Sequence, residues 1–159
     1  MSHCVSVEVQ VASSAVSVPG VQAIQGWVQA AVAQSGDDVP CEVSVRIVNE
    51  REARALNKRY RGTDKATNVL SFRAHGMDGL QIHPEVPRLL GDIVVCAPVV
   101  EREAAEQGKD VAAHWAHMLV HGALHLLGFD HEARDEATEM EALERRILAA
   151  GGVDDPYAM

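Results

Sequence analysis

The residues best suited to chemistry lie in one run, His121-Gly-Ala-Leu-His125-Leu-Leu-Gly-Phe-Asp-His131. On a helix at ~100° per residue, side chains at positions i and i+4 sit ~40° apart, one turn above the other. The imidazoles of His121 and His125 can therefore converge on one ion without backbone strain. Gly128 falls where a helix is expected to end, because a left-handed conformation there costs glycine no Cβ clash. The chain can then reverse and bring His131 back from outside the helix. Three neutral imidazoles with a fourth position open are the design of a catalytic zinc site, whereas structural zinc usually takes four protein ligands rich in Cys. A lone histidine on an apolar helix is more often a core residue, but three at this spacing, with the glycine in place, outweigh that reading. The expectation is one Zn2+ ion held by His121, His125 and His131. His114 and His117 fall on roughly the same helix face, too far upstream to be primary ligands; they could support the ligands from behind, contact substrate or be core residues, and the core reading is favoured.

The same spacing occurs in metzincin peptidases, where a Glu beside the first His serves as general base. Here Gly122 stands in that place and offers no proton acceptor. A zinc-dependent hydrolase of another class, peptidase or amidase, is thus an alternative that the sequence opposes.

A second chemical feature is cationic. Arg51, Arg54, Lys58, Arg59, Arg61, Lys65 and Arg73 make up half of the 14 Lys and Arg residues. The net charge is −9, which argues against a chain coated in nucleic acid, since phosphate binding leaves a basic footprint. A local anion-facing patch and an ordinary solvated helix face remain equally open at this point.

The elements that must position these residues follow from periodicity. Residues 5–11 alternate valine with polar side chains, and 42–48 repeat the pattern, so both read as half-buried strands. Asn68-Val-Leu-Ser-Phe72 and Gly91-Asp-Ile-Val-Val-Cys96 are two more short strands. Helices are expected after Pro19, after Asn49 as N-cap, from Pro98 to about Gln107, from about Val111 to Leu127, and from Arg134 to Ala149. The apolar stripe of the last helix is Ala137, Met140, Leu143 and Ile147. The 159 residues fit a single domain, 1–159, without repeats or linkers. The fold class is α+β: one small mixed sheet of about four strands packed with about five helices, with the metal site on a C-terminal helix and the turn after it. No apolar run reaches the ~20 residues needed to cross a bilayer, and the N-terminus lacks a secretory pattern. Cys4, Cys41 and Cys96 are widely spaced and odd in number, as expected for reduced thiols in a cytoplasmic protein without a membrane role.

Taken together, the histidine run, Tyr60-Arg-Gly-Thr-Asp-Lys-Ala-Thr-Asn-Val-Leu-Ser-Phe72, Leu90-Gly-Asp-Ile93, Ala113-His-Trp-Ala-His-Met118 and the closing Asp155-Pro-Tyr157 resemble the YbeY family of bacterial rRNA maturation factors, the endoribonucleases YbeY. The resemblance covers nearly the whole chain. It implies a small mixed sheet surrounded by helices, and a metal-dependent endoribonuclease specific for single-stranded RNA. That activity would serve 16S rRNA 3′-end maturation and ribosome quality control. It implies that the three motif histidines hold the metal and that the family's characteristic arginine is Arg61, the candidate catalytic residue. A guanidinium stays protonated and offers paired donors to phosphate oxygens, and Lys58, Arg59 and Lys65 could follow an RNA backbone. The implied partners are single-stranded RNA, rRNA above all, and the ribosome or small-subunit assembly factors, with no DNA. Aromatic residues make up only 4% of the chain, which limits base stacking and points to specificity supplied by a partner. A non-catalytic ribosome-assembly factor with a structural metal is the remaining alternative.

Overall fold

A computed structural model describes residues 5–35, 40–74, 88–129, 134–153 and 155–157. Nine elements follow in chain order: β1 Val5–Val11, α1 Val21–Ser35, β2 Cys41–Val48, α2 Glu50–Arg61, β3 Val69–Arg73, β4 Arg88–Cys96, α3 Ala97–Gln107, α4 Val111–Leu126 and α5 Arg134–Ala150. The four strands form one mixed sheet in the order β1-β2-β4-β3. β1, β2 and β4 run parallel, and β3 lies antiparallel on the outer edge of β4. The expected α+β class is what the chain adopts.

Alternation along the strands gives the sheet two different faces. Val43, Val45 and Ile47 of β2 and Ile93 and Val95 of β4 point to one side, where α1 and α4 cover them with Ile24, Val28, Trp115, Leu119 and Leu124 among others, and α5 packs on those two helices. On the other side Val48, Leu70, Val94 and Cys96 form a smaller cluster with Ala53 of α2 and Val99 of α3. Cys41 and Cys96 are both buried and are not joined to each other; Cys4 lies outside the described residues. No helix among the described residues is long and apolar enough to cross a membrane.

The start of β4 and the capping of α2 differ from the sequence expectation. β4 begins at Arg88, before Gly91, because a bulge at Glu42/Val43 lets its pairing with β2 continue past the glycine. Gly91 has φ +142°, and a Cβ there would come within 2.2 Å of the Phe72 carbonyl oxygen and 2.9 Å of Leu126. Only glycine lets β3, β4 and the end of α4 meet so closely. Asn49 does occupy the N-cap of α2, but makes no side-chain capping bond. Its Oδ1 instead accepts from Ser13 Oγ at 2.6 Å, tying α2 to the segment after β1.

Helix α4 runs through the middle of the molecule, against α1, α3, α5, β3 and β4. Its N-cap Asp110 accepts a hydrogen bond from the Ala113 amide at 3.2 Å, and Gly128, with φ +101°, reverses the chain just past its last turn. An apolar helix buried on all sides is expected of such a central position. From His114 to Leu126 every residue is buried except His121 and His125.

Candidate metal centre and adjoining cleft

Past the first turn, the part of that helix that reaches the surface therefore carries two of the three histidines singled out by spacing. Their Nε2 atoms are 3.2 Å apart. Two nitrogens bound at ~2.05 Å to one tetrahedral ion would stand about 3.3 Å apart. His131 and its neighbour Asp130 lie outside the described residues.

What fixes His121 is on the far side of its ring. Its Nδ1 is 2.5 Å from Glu144 Oε2, a fully buried carboxylate on α5. His117, one turn earlier on α4, directs Nε2 at Glu144 Oε1 (3.3 Å) and at the Tyr157 hydroxyl (3.1 Å). Tyr157 in turn donates to Glu144 Oε1. Burial on its own would push the Glu144 carboxyl upward, but the hydrogen bonds from His117, His121 and Tyr157 bring it down to about 2. Burial and the Glu144 carboxylate push the Tyr157 hydroxyl well above its ordinary range, so it stays a donor. An ionised Glu144 can only accept, so His121 carries its proton on Nδ1 and presents the Nε2 lone pair toward His125. His117, His121 and Glu144 also each offer one ligand atom within 4.8 Å of one another, and such a group could hold a cation.

His114, expected with His117 to be a core residue, is buried and pairs through Nε2 with Glu103 of α3 at 2.9 Å. Glu103 also accepts from Asn68 Nδ2 at 3.0 Å. Burial lowers the His114 imidazole below its ordinary range, with Glu103 opposing. Sequence reasoning missed both glutamates, the half-buried Glu103 and the fully buried Glu144. Glu144 had a signal: it falls four residues after Met140 and next to Leu143, so an acid occupies the buried face of α5.

The exposed edges of His121 and His125 line a cleft of about 370 Å³ together with Arg61, Thr67, Asn68 and Ser71. Arg61 arrives from the end of α2, which Gly62 terminates at φ 75°. Its Nη2 donates to the Ser71 carbonyl at 2.7 Å, and its guanidinium carbon lies 5.8 Å from the centre of the Phe72 ring. Ser71 closes the other side, its Oγ donating to the Gly122 carbonyl at 2.9 Å. A wider groove of about 750 Å³ shares Arg61 and Ser71 with this cleft and crosses the sheet face, where Arg73 also lines it.

Most of the rest of the basic cluster sits elsewhere. Arg51, Arg54, Lys58 and Lys65 border a separate depression, and Arg54 is committed to Asp64 through bonds of 2.7 and 3.1 Å. Arg59 stacks on Tyr60. Arg61 is the member of the cluster that shares a cleft with the histidines.

Residues 8–152 match the family model described as Endoribonuclease YbeY. The chain belongs to the endoribonuclease YbeY family. Named relatives agree: it is 59% identical over 141 residues to "Endoribonuclease YbeY" of Halorhodospira halophila, covering 89% of each chain. It is 55% identical over 142 residues to the protein of the same name from Alkalilimnicola ehrlichii, covering 89% of this chain and 84% of that one. The fold is also similar to a protein of Thermotoga maritima solved in solution, at 22% identity and a TM-score of 0.54, covering 96% of this chain and 99% of that one. The sequence resemblance to the YbeY family and the fold expected from it both hold.

Proposed function

We propose that this chain, acting as one domain in the cytoplasm, is a zinc-dependent endoribonuclease that cleaves single-stranded RNA in rRNA processing. On this reading 16S rRNA 3′-end maturation and ribosome quality control are its setting. The observation that carries it is the pair of Nε2 atoms 3.2 Å apart, opening into the cleft that Arg61 also lines. His121, His125 and His131 would hold the ion. When bound it would supply Lewis acidity, polarising a phosphoryl oxygen and making water more acidic. The group His117, His121 and Glu144 is the weaker place for it, because its atoms already bond to one another and to Tyr157.

The protein's own residues account for the rest. Phosphodiester cleavage passes through a phosphorane with added charge on its equatorial oxygens. Arg61 is pre-positioned for that charge: the Ser71 carbonyl takes one of its five N–H groups, and the others can serve phosphate oxygens. Arg73 and the groove across the sheet give an RNA strand a path away from the cleft. The nearby Lys58 and Lys65 face another side and would contribute to affinity only through their general field. With net charge −9 and few aromatics, specificity for one RNA would come from the ribosome or a small-subunit assembly factor.

Peptide hydrolysis of the metzincin kind is further opposed by packing. A Cβ on Gly122 would stand 2.8 Å from Ile93 Cγ2 and 3.2 Å from Val69 Cγ2, so the position has no room for a glutamate.

The test is cleavage of a single-stranded RNA oligonucleotide, with metal content measured on the same preparations. His125→Ala should lose both zinc and cleavage. Arg61→Ala should keep its zinc and lose about 10²–10³-fold in rate, the cost of removing one preorganised charge-stabilising donor. Cleavage by both variants at the parent rate would refute the proposal.

A further inference from the structure

The closing Asp155-Pro-Tyr157 segment has no part in the cleft, yet it is tied down at several points. Lys109 Nζ donates to the Pro156 carbonyl at 2.9 Å. Arg145 Nε donates to Asp155 Oδ1 at 3.1 Å, and the same oxygen accepts the Tyr157 amide at 2.8 Å. The Arg145 guanidinium also lies 5.1 Å from the centre of the Tyr157 ring. These contacts aim the Tyr157 hydroxyl inward at Glu144 Oε1, and the other oxygen of that carboxylate holds His121 Nδ1. A chain of hydrogen bonds thus links the C-terminal turn to the ring whose opposite nitrogen faces His125.

We infer that Glu144 and Tyr157 are positioning residues for the metal, the C-terminal Asp-Pro-Tyr turn acting as a latch that fixes the tautomer and tilt of His121. The inference rests on the metal reading given above. Glu144 does two things a neutral side chain could not do equally well. It keeps the His121 proton on Nδ1, and it raises the basicity of the Nε2 lone pair. Tyr157 engages the second carboxylate oxygen and, with His117, leaves Glu144 no freedom to turn its charge elsewhere. His117 Nδ1 has no hydrogen-bond partner among the described residues, so its proton belongs on Nε2, facing the same carboxylate and the Tyr157 oxygen. Three donors thereby converge on one buried acid, from α4 twice and from the C-terminus once.

The experiment measures zinc affinity of the full chain by competition with a chromophoric chelator, and the visible absorption of the Co(II)-substituted protein, for Glu144→Gln, Tyr157→Phe and His125→Ala. Melting of the metal-free proteins is followed in parallel. Glu144→Gln should bind zinc about 10–100-fold more weakly, the usual cost of losing a carboxylate behind a ligating histidine. Tyr157→Phe, which removes only one oxygen from a partly buried ring, should weaken zinc by a smaller factor, short of the ~10-fold lower end expected for losing the carboxylate itself. Both should shift the Co(II) absorption. Parent-like affinity and an unchanged Co(II) spectrum in both variants, even with lowered melting temperatures, would reduce the latch to a structural role and overturn the inference. A loss in Glu144→Gln as complete as in His125→Ala would make Glu144 a ligand and overturn it equally. Parent and His125→Ala binding zinc alike would instead bring down the underlying metal reading.

Discussion

His121 and Gly122 are neighbours in the sequence with opposite surroundings. His121 reaches the surface, while Gly122 presses its Cα against β3 and β4, close to Ile93, Val69 and Ser71. The pressure explains why a glycine follows the first histidine. It also lets the magnitude of a substitution be argued. Gly122→Ala gains about 1 kcal/mol in helix propensity but overpacks the helix–sheet contact at a cost of about 1–3 kcal/mol. The net effect should be a loss of about 1 kcal/mol, read as a lowered midpoint in urea unfolding. Gly122→Glu should lose several-fold more and gain no peptidase activity. An alanine variant more stable than the parent would mean that the sheet yields there and that the packing account is wrong.

At the scale of elements, α4 is the organising piece, and its buried histidines each meet a glutamate from a neighbouring helix: His117 with Glu144 of α5, His114 with Glu103 of α3. The His114 pair has a pH signature. Burial depresses its imidazole in the folded state, whereas in the unfolded chain a histidine titrates near ~6.5. As pH falls through that value the unfolded chain takes up the proton first, so stability is full above it and declines below. In metal-free protein, the slope of unfolding free energy against pH from about 7 to 5 should be shallower in His114→Gln than in the parent. Equal slopes would show that His114 is not held neutral. How far such elements could be read from sequence depended on the range of the signal. The i, i+4 pair on α4 and the valine alternation of β1 and β2 are local, and both were legible. Glu103 and Glu144 are distant in sequence from the histidines they hold, and periodicity says nothing about which helix packs on which.

At the scale of the molecule, the cleft is made by topology. Arg61 shares a cleft with His121 because α2 ends beside β3, β3 adds antiparallel to β4, and α4 lies across both. No spacing rule connects position 61 with position 121; only the family resemblance singled out that arginine, and the fold then brought it to the histidines. The layers also give His121 two sides. One faces the cleft with Arg61 and the groove across the sheet, and the other faces α5 and the C-terminal turn. A metal on the first side would sit where a phosphate can reach it; a metal on the second would be buried behind the ring and could serve structure alone. The most direct test is therefore to locate the ion, by anomalous scattering at the zinc edge from crystals of the zinc-loaded protein. The account predicts a single peak between the Nε2 atoms of His121 and His125, with His131 as third ligand and Glu144 still bonded to Nδ1. A peak among His117, His121 Nδ1 and Glu144 would contradict it.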